Sequence, residues 1–334
     1  MILVTGGTGM IGSRLIADLL QDGYAVKALK RPLSDTALLD YHLANDSTLF
    51  GRIEWVEGDL LDIDTLEKAL EGVQTVFHTA GLVSFLPGHE DALLDSNMKG
   101  TANLVNLCLE NDNIRYFAYV SSVATLGRSS GQLIIDEDCH WNPGTPQSPY
   151  AVSKYTAERE VWRAMAEGLN AVIVNPSIVL GPGPKGNGSS TLFRKVLQGF
   201  PFHTLGVSGF VDVRDVSDAL RWLFRKGIAG ERFILNSENM SFRDLFIRMA
   251  TAFGVKAPPF LVRPWMSSLI WPIEKIRSTL TRSSPFITKE TARSAQSEYR
   301  YSSEKIRKLG FRFRTIDECI GESVPFFKKE AITG

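Results

Sequence analysis

The stretch Ile2-Leu-Val-Thr-Gly-Gly-Thr-Gly-Met-Ile-Gly12 constrains this chain more than any other. Ile2, Leu3 and Val4, followed by glycines, read as a buried strand. Ile11, Leu15, Ile16, Leu19 and Leu20 then recur at helical spacing until Gly23 stops them. The glycines between fit two frames, Gly7-Gly9-Gly12 or Gly6-Gly9-Gly12, and both carry the same chemistry. A strand turns sharply, its backbone approaches a pyrophosphate, and the helix packs tightly on the strand, so side chains are excluded at three places. The free N–H groups at the start of the helix face the phosphates. Gly6, Thr8, Gly9, Met10, Ile11 and Gly12 are thus the expected phosphate-binding segment of a dinucleotide site.

Further strands are expected at Tyr24–Leu29, Ile53–Val56, Val76–His78 and Arg115–Val120, with helices near 63–70 and 92–110 and a polar link over 34–50. Five strands alternating with helices indicate an α/β, doubly wound parallel sheet whose ligands lie at the carboxyl ends of the strands. The second strand ends in Lys30 and Arg31, with no acid before Asp35. A carboxylate there would bind the ribose 2′-hydroxyl of NAD and a basic residue the 2′-phosphate of NADP, so NADP(H) is favoured, with NAD(H) the alternative. Asp59 either meets adenine or caps the helix after it. Small residues at Thr79, Ala80 and Gly81 would let a cofactor lie flat, and His78 reads as a structural histidine. Asn97 and Lys99 read as exposed or structural.

Composition excludes other classes. The 334 residues contain 37 basic and 37 acidic side chains, which leaves no basic surface for nucleic acid. Three cysteines, Cys108, Cys139 and Cys319, have the spacing of neither a disulfide framework nor a metal site, so no metal is expected. A first strand beginning at Met1 leaves no room for a leader, no run is long enough to span a membrane, and a cytoplasmic location is expected.

Pro149-Tyr150-Ala-Val-Ser-Lys154 opens a helix to about Glu167 and sets Tyr150 and Lys154 one turn apart on one face. A phenol is a poor acid or base at neutral pH, but a nearby ammonium favours the phenolate. Tyr150 could then exchange a proton with a carbonyl or alcohol oxygen that Ser122 also holds.

Thr5-Gly6-Gly7-Thr8-Gly9-Met10-Ile11-Gly12, Asp59-Leu60, His78-Thr79-Ala80-Gly81, Tyr119-Val120-Ser121-Ser122 and Tyr150-Ala-Val-Ser-Lys154 occur in this order. Together they resemble the extended branch of the short-chain dehydrogenase/reductase superfamily, as do Asn175-Pro176-Ser177 and Phe210–Val216. The resemblance implies catalytic positions at Ser122, Tyr150 and Lys154, with Lys154 also on the nicotinamide ribose. It implies adenine contacts at Asp59 and Leu60, a cofactor lining at Ala80 and Gly81, and Pro176 and Ser177 facing the nicotinamide. Ser122 is preferred to Ser121 because it lies five residues before Gly127, the interval usual in that family. Lys30-Arg31-Pro32 and His78–Phe85 look most like the dihydroflavonol-reductase-like and 3β-hydroxysteroid-dehydrogenase-like groups. Val123-Ala124 stand where dehydratases of the branch carry an Asp-Glu pair, which disfavours water elimination.

The dinucleotide-binding domain is expected over 1–180, with 211–236 returning to it. Residues 181–210 and 237–330 form a mainly helical substrate lobe, with helices near 190–199, 241–253, 264–281, 286–297, 302–309 and 315–328 and little strand besides Arg232–Leu235. A sixth strand runs from Ala171 to about Leu180. Phe193, Phe200, Phe202, Phe210, Phe260, Trp265 and Trp271 suggest a substrate with a hydrophobic body, and Ser84, Phe85, Ser122 and Phe193 are the candidate substrate contacts. Pro258–Ile273 reads as a lid or a membrane-surface contact. The expectation is an NADP(H)-dependent oxidoreductase acting on a ketone, aldehyde or alcohol. A nucleotide-sugar epimerase using NAD and a non-catalytic NADP sensor are the alternatives. A homodimer is implied by the resemblance alone.

Overall fold

The computed structural model describes residues 1–127, 134–186, 188–263 and 296–333. In its first half it alternates strand and helix: β1 (Ile2–Thr5), α1 (Met10–Gln21), β2 (Val26–Lys30), α2 (Ala37–His42), α3 (Ser47–Phe50), β3 (Ile53–Glu57), α4 (Ile63–Leu70) and β4 (Thr75–His78). After β4 come α5 (Glu90–Leu93), a π-helical turn (Leu94–Lys99), α6 (Gly100–Glu110), β5 (Tyr116–Val120), a 3₁₀ turn (Val123–Thr125), α7 (Pro149–Ala166) and β6 (Ala171–Pro176). The second half holds β7 (Ile178–Leu180), α8 (Ser190–Leu197), β8 (Phe202–His203), β9 (Val207–Asp212), α9 (Val213–Arg225), β10 (Arg232–Leu235), β11 (Glu238–Ser241), α10 (Phe242–Phe253), β12 (Phe260–Leu261), α11 (Glu304–Lys308) and α12 (Ile316–Thr333).

Seven strands form one parallel sheet in the order β10-β6-β5-β4-β1-β2-β3, with Val4 opposite Ala28 on one side and Phe77 on the other. A parallel strand is covered on both faces, so its residues read as an unbroken apolar run. Leu15, Ile16, Leu19 and Leu20 of α1 pack with Val216, Leu220 and Leu223 of α9 on one face. Leu66 of α4, Leu104 and Val105 of α6, and Ala157 and Val161 of α7 cover the other. Strand order reverses between β1 and β4, and the crevice at their carboxyl ends is where such a sheet binds its ligand.

Several expectations need correction. Residues 34–50 are not a mere link, because Leu39 and Leu43, with Leu49 and Phe50 packed beside them, fold α2 and α3 against the sheet's first core. The sixth strand is interrupted at Ser177. Its backbone N–H still follows Leu235, but β7 pairs with β9 in a second sheet of order β11-β9-β7. The lobe therefore has strands that a helical reading missed, including the parallel pair β8·β12. The expected helices at 264–281 and 286–297 fall, apart from residues 296 and 297, outside the described residues, as do Trp265, Trp271 and most of Pro258–Ile273. Phe193, Phe210, Phe242, Phe246, Phe253, Ile316 and Phe327 form the lobe's own core. Among the described residues no helix is long and apolar enough to cross a membrane.

Candidate active site

The glycine turn is built for close approach of backbones. Gly6 has φ +72°, and a Cβ there would lie 2.7 Å from the Cα and nitrogen of Ala80; a Cβ at Gly12 would lie 2.2 Å from the Gly6 carbonyl oxygen. At Gly7 a new Cβ would crowd only the Cδ1 end of the Ile16 side chain, at 2.7 Å, so the steric requirement common to both glycine frames is the one at Gly12. The N-cap of α1 is Gly9, and no side chain caps the helix. A dinucleotide fits this cradle: there is backbone to approach, uncapped helical N–H groups to meet phosphate oxygens, and no side chain between them.

At the end of β2, Lys30 pairs with Glu57 at 3.2 Å and lies over the Trp55 ring. Arg31 is exposed and makes no ion pair among the described residues. Asp35, the first acid beyond, accepts from the Ala37 backbone N–H at 2.8 Å. Asp59 accepts from the Leu61 N–H at 3.0 Å, and the cap of α4 is Asp62 instead, accepting from Thr65 N–H. The capping alternative for Asp59 therefore fails, while Leu60 is buried against the α6 side of the sheet.

His78 is satisfied inside the sheet, with Nδ1 2.7 Å from Thr5 Oγ1 and Nε2 2.9 Å from Thr101 Oγ1. Burial lowers its pKa to about 3, with the Lys154 charge adding to the effect. Beyond it Ala80 is half-buried and Gly81 exposed. The loop is pinned by the buried Asn97, which accepts from the Leu82 N–H at 2.7 Å and donates to the Leu82 carbonyl at 3.0 Å and to Ser153 Oγ at 2.9 Å. Asn97 sits in the π-helical turn, whose wider winding departs from the plain helix expected over 92–110. Phe85 packs edge-on against Tyr150 with ring centroids 5.6 Å apart, and Ser84 Oγ lies 2.9 Å from His89 Nδ1.

Ser121 and Ser122 at the end of β5 point different ways. Ser121 is buried and donates to Glu158 Oε2 at 2.5 Å, whereas Ser122 is half-buried, caps the following turn through Ala124 N–H and lies close enough to Tyr150 to pull its pKa down. Tyr150 lies in the first turn of α7, capped by Ser148 with Pro149 at its start. Lys154, only 4% exposed, donates from Nζ to the Val120 carbonyl at 2.8 Å and lies 4.5 Å over the Tyr119 ring. Gly81 approaches the same ammonium, since a Cβ there would be 3.5 Å from Nζ. Ser122, Tyr150, Lys154 and the Ala80–Gly81 backbone thus converge where β4 and β5 end.

The electrostatics depart from the expected order of effects. Burial pushes the Tyr150 pKa up, with the Ser122 hydrogen bond pulling it the other way, so in this structure desolvation outweighs any lowering by the ammonium. Lys154 bears the larger change: burial lowers it to about 7, opposed by the charge of Glu158. Pro176 and Ser177 are buried where β6 breaks, and Ser177 Oγ donates to the Leu235 carbonyl at 3.2 Å. Phe193 is not at this surface: it is fully buried and stacked on Phe327 at 4.7 Å in the lobe core, as a large ring on the inner face of α8 must be. Phe210 is likewise core, while Phe202 and Phe260 are exposed. Motif reading passed over Glu158 and gave Asn175 no role of its own, though both are buried directly behind Ser122; the signal for Glu158 was its place four residues after Lys154 on the same helical face.

A doubly wound parallel sheet, a glycine cradle at its switch point and a Ser-Tyr-Lys cluster opposite define an extended short-chain dehydrogenase/reductase, an NAD(P)-dependent enzyme. The chain belongs to the NAD dependent epimerase/dehydratase family, whose model matches residues 2–235. It is similar to the protein named "Putative dihydroflavonol 4-reductase" of Synechocystis sp., at 32% identity over 97% of this chain and 94% of that one. It is also similar to "Sterol demethylase protein B" of Methylococcus capsulatus, at 29% identity over 99% of each. The solved structure of gox2253 aligns with a TM-score of 0.82 over 99% of this chain and 98% of that one, at 30% identity.

Proposed function

We propose that the protein is an NADP(H)-dependent oxidoreductase that reduces a ketone or aldehyde, or oxidises the matching alcohol. The observation that carries this reading is the convergence of Ser122, Tyr150 and Lys154 at the mouth of the glycine cradle, with Val123 and Ala124 where elimination chemistry would need an acid and a base. The nicotinamide, when bound, supplies or accepts the hydride. Tyr150 exchanges the proton with the substrate oxygen, Ser122 holds that oxygen by hydrogen bond, and the Lys154 ammonium favours the phenolate form of Tyr150 and anchors the ribose. Gly6, Thr8, Gly9, Met10, Ile11 and Gly12 hold the pyrophosphate. Asp59 and Leu60 meet adenine, Ala80 and Gly81 line the cofactor, and Pro176 and Ser177 face the nicotinamide.

NADP(H) is favoured over NAD(H) because Arg31 is exposed and unpaired among the described residues, while the nearest carboxylates are engaged, Glu57 by Lys30 and Asp35 by its own turn. A substrate with a hydrophobic body fits Phe85 beside Tyr150 and the exposed Val83, and the names of the two relatives point to ring-bearing substrates. The 1–180 and 211–236 segments act as the cofactor domain and the rest as the substrate lobe.

Calorimetry of NADPH and NADH on wild type and Arg31→Ala tests the cofactor. The expected result is a preference for NADPH that the variant loses, and NADH bound tightly by both proteins overturns it. Tyr150→Phe tests the chemistry: turnover should fall by about 10²- to 10⁴-fold with NADPH affinity within a few fold, and an unchanged rate rejects the assignment.

A further inference from the structure

Glu158, 2% exposed, stands one helical turn beyond Lys154 on the inner face of α7, as Lys154 stands beyond Tyr150. Its Oε2 accepts hydrogen bonds from Ser121 Oγ at 2.5 Å, Thr125 Oγ1 at 2.7 Å and Asn175 Nδ2 at 2.8 Å. Its Oε1 accepts from Trp162 Nε1 and Arg232 Nη1, each at 3.2 Å. A carboxylate removed from water is costly unless its oxygens are satisfied and its charge is balanced. Five donors meet the first condition. The second falls to Arg232, which lines a groove of about 430 Å³ beside α7, and to Lys154.

Two of the donors on Oε2, Ser121 and Thr125, belong to the segment that carries Ser122, and the third, Asn175 of β6, is bonded to that segment. Thr125 Oγ1 and Asn175 Nδ2 also reach the Ser122 carbonyl, at 2.9 and 3.1 Å, so the turn after β5 hangs from one carboxylate oxygen. Lys154, by contrast, touches the Val120 carbonyl and the Tyr119 ring but, among the described residues, no carboxylate. We propose that Glu158 is the positioning residue of this site, fixing the Ser121–Thr125 turn that presents Ser122 and providing the counter-charge of the Lys154 ammonium. The inference rests on reading Ser122, Tyr150 and Lys154 as the catalytic set.

The other titratable groups facing Lys154 are uncharged at neutral pH. His78 on β4 is lowered to about 3, Tyr119 on β5 is raised by burial and by Glu158, and Tyr150 on α7 is raised by burial. Arg232 on β10 acts from the far side of Glu158. Two substitutions therefore have opposite signs. Glu158→Gln removes the negative charge and should lower the Lys154 titration midpoint, and Arg232→Met leaves Glu158 less neutralised and should raise it.

The test is the titration of Lys154 in the cofactor-free full-length protein, followed by the ¹³Cε resonance of ¹³C-lysine-labelled samples and assigned by its loss in Lys154→Arg. Relative to wild type, the midpoint should fall by about one unit or more in Glu158→Gln, rise in Arg232→Met and stay in place in Glu158→Asp, which keeps the charge. A midpoint unmoved or raised in folded Glu158→Gln, or unmoved or lowered in Arg232→Met, overturns the counter-charge role, and Arg232→Met decides alone where Glu158→Gln does not fold. With a turned-over substrate, Glu158→Asp draws the carboxylate back from the Ser121–Thr125 turn and should lower kcat by about tenfold with KM nearly unchanged. An unchanged kcat overturns the positioning role. The titration needs neither cofactor nor substrate, so a protein without reductase activity refutes the proposed function and leaves this result standing.

Discussion

Gly6→Ala and Gly23→Ala are the same chemical change at two residues with left-handed backbone, φ +72° and +86°. The backbone penalty of a Cβ at such a φ, about 1–2 kcal/mol, is common to both. Nothing lies within 4 Å of a Cβ at Gly23, whereas at Gly6 the new atom would meet Ala80 backbone at 2.7 Å and the Thr79 carbonyl carbon at 3.0 Å. Those atoms can retreat only by loosening the Thr5–His78 hydrogen bond and the β1–β4 ladder. Overpacking of that kind adds about 1–3 kcal/mol, for a total of about 2–5 kcal/mol at Gly6. A change of 1 kcal/mol moves the melting temperature by about 2–4 °C in chains of 150–250 residues and less in a longer one. Scanning calorimetry should therefore put Gly6→Ala below Gly23→Ala by about 1–4 °C. On the same samples NADPH should bind Gly23→Ala as it binds wild type, and Gly6→Ala about tenfold more weakly or worse, because the proposed function sets Ala80 against the cofactor. Equal melting temperatures with equal affinities would refute the claim that backbone proximity, and not glycine flexibility, makes this turn a cradle.

Lys154, lowered to about 7 from an ordinary 10.5, binds its proton less tightly folded than unfolded, so its contribution to stability is lost as pH falls through 7 and recovered towards 10.5. Lys154→Met should flatten the rise in melting temperature between pH 6 and 9 (about three pH units), and an unchanged rise refutes the burial argument. Phe193→Ala should cost about 3–5 kcal/mol through the lobe core while leaving KM near wild type in the cold, where the variant is folded; a selective rise in KM without destabilisation would return Phe193 to the substrate site. All three cysteines are buried and burial pushes the Cys108 thiol up to about 12, so a thiol reagent should label the native protein only after denaturant is added.

What was legible beforehand was what local spacing encodes. The β1-turn-α1 unit, the alternation of strands and helices, and Tyr150 with Lys154 on one face of α7 all follow from periods of 2 and 3.6 and from glycine sterics. The break at Ser177 was not legible, because the apolar residues on either side of Asn175-Pro176-Ser177 read alike and only the return of β9 and β10 decides which sheet each half joins. Nor was the folding of 37–50, where Leu39 and Leu43 find partners far away in sequence. Within the site, the separation of Ser121 from Ser122 depends on Glu158 and Asn175, which reach it across 37 and 53 residues. Phe193 illustrates the converse, since an aromatic residue reads alike whether it lines a pocket or fills a core.

The π-helical turn at Leu94–Lys99 gives the enzyme an evolutionary handle. Such a turn holds one more residue than the α-turn it replaces, so gain or loss of a single codon toggles it. With it, Asn97 reaches the Leu82 backbone and pins the loop beside Lys154. Without it, α6 could keep its packing while the side chain at that point swung away by about 100°. One insertion event can thus switch a lineage between a tethered and an untethered loop beside Lys154, with the sheet and the glycine turn left intact.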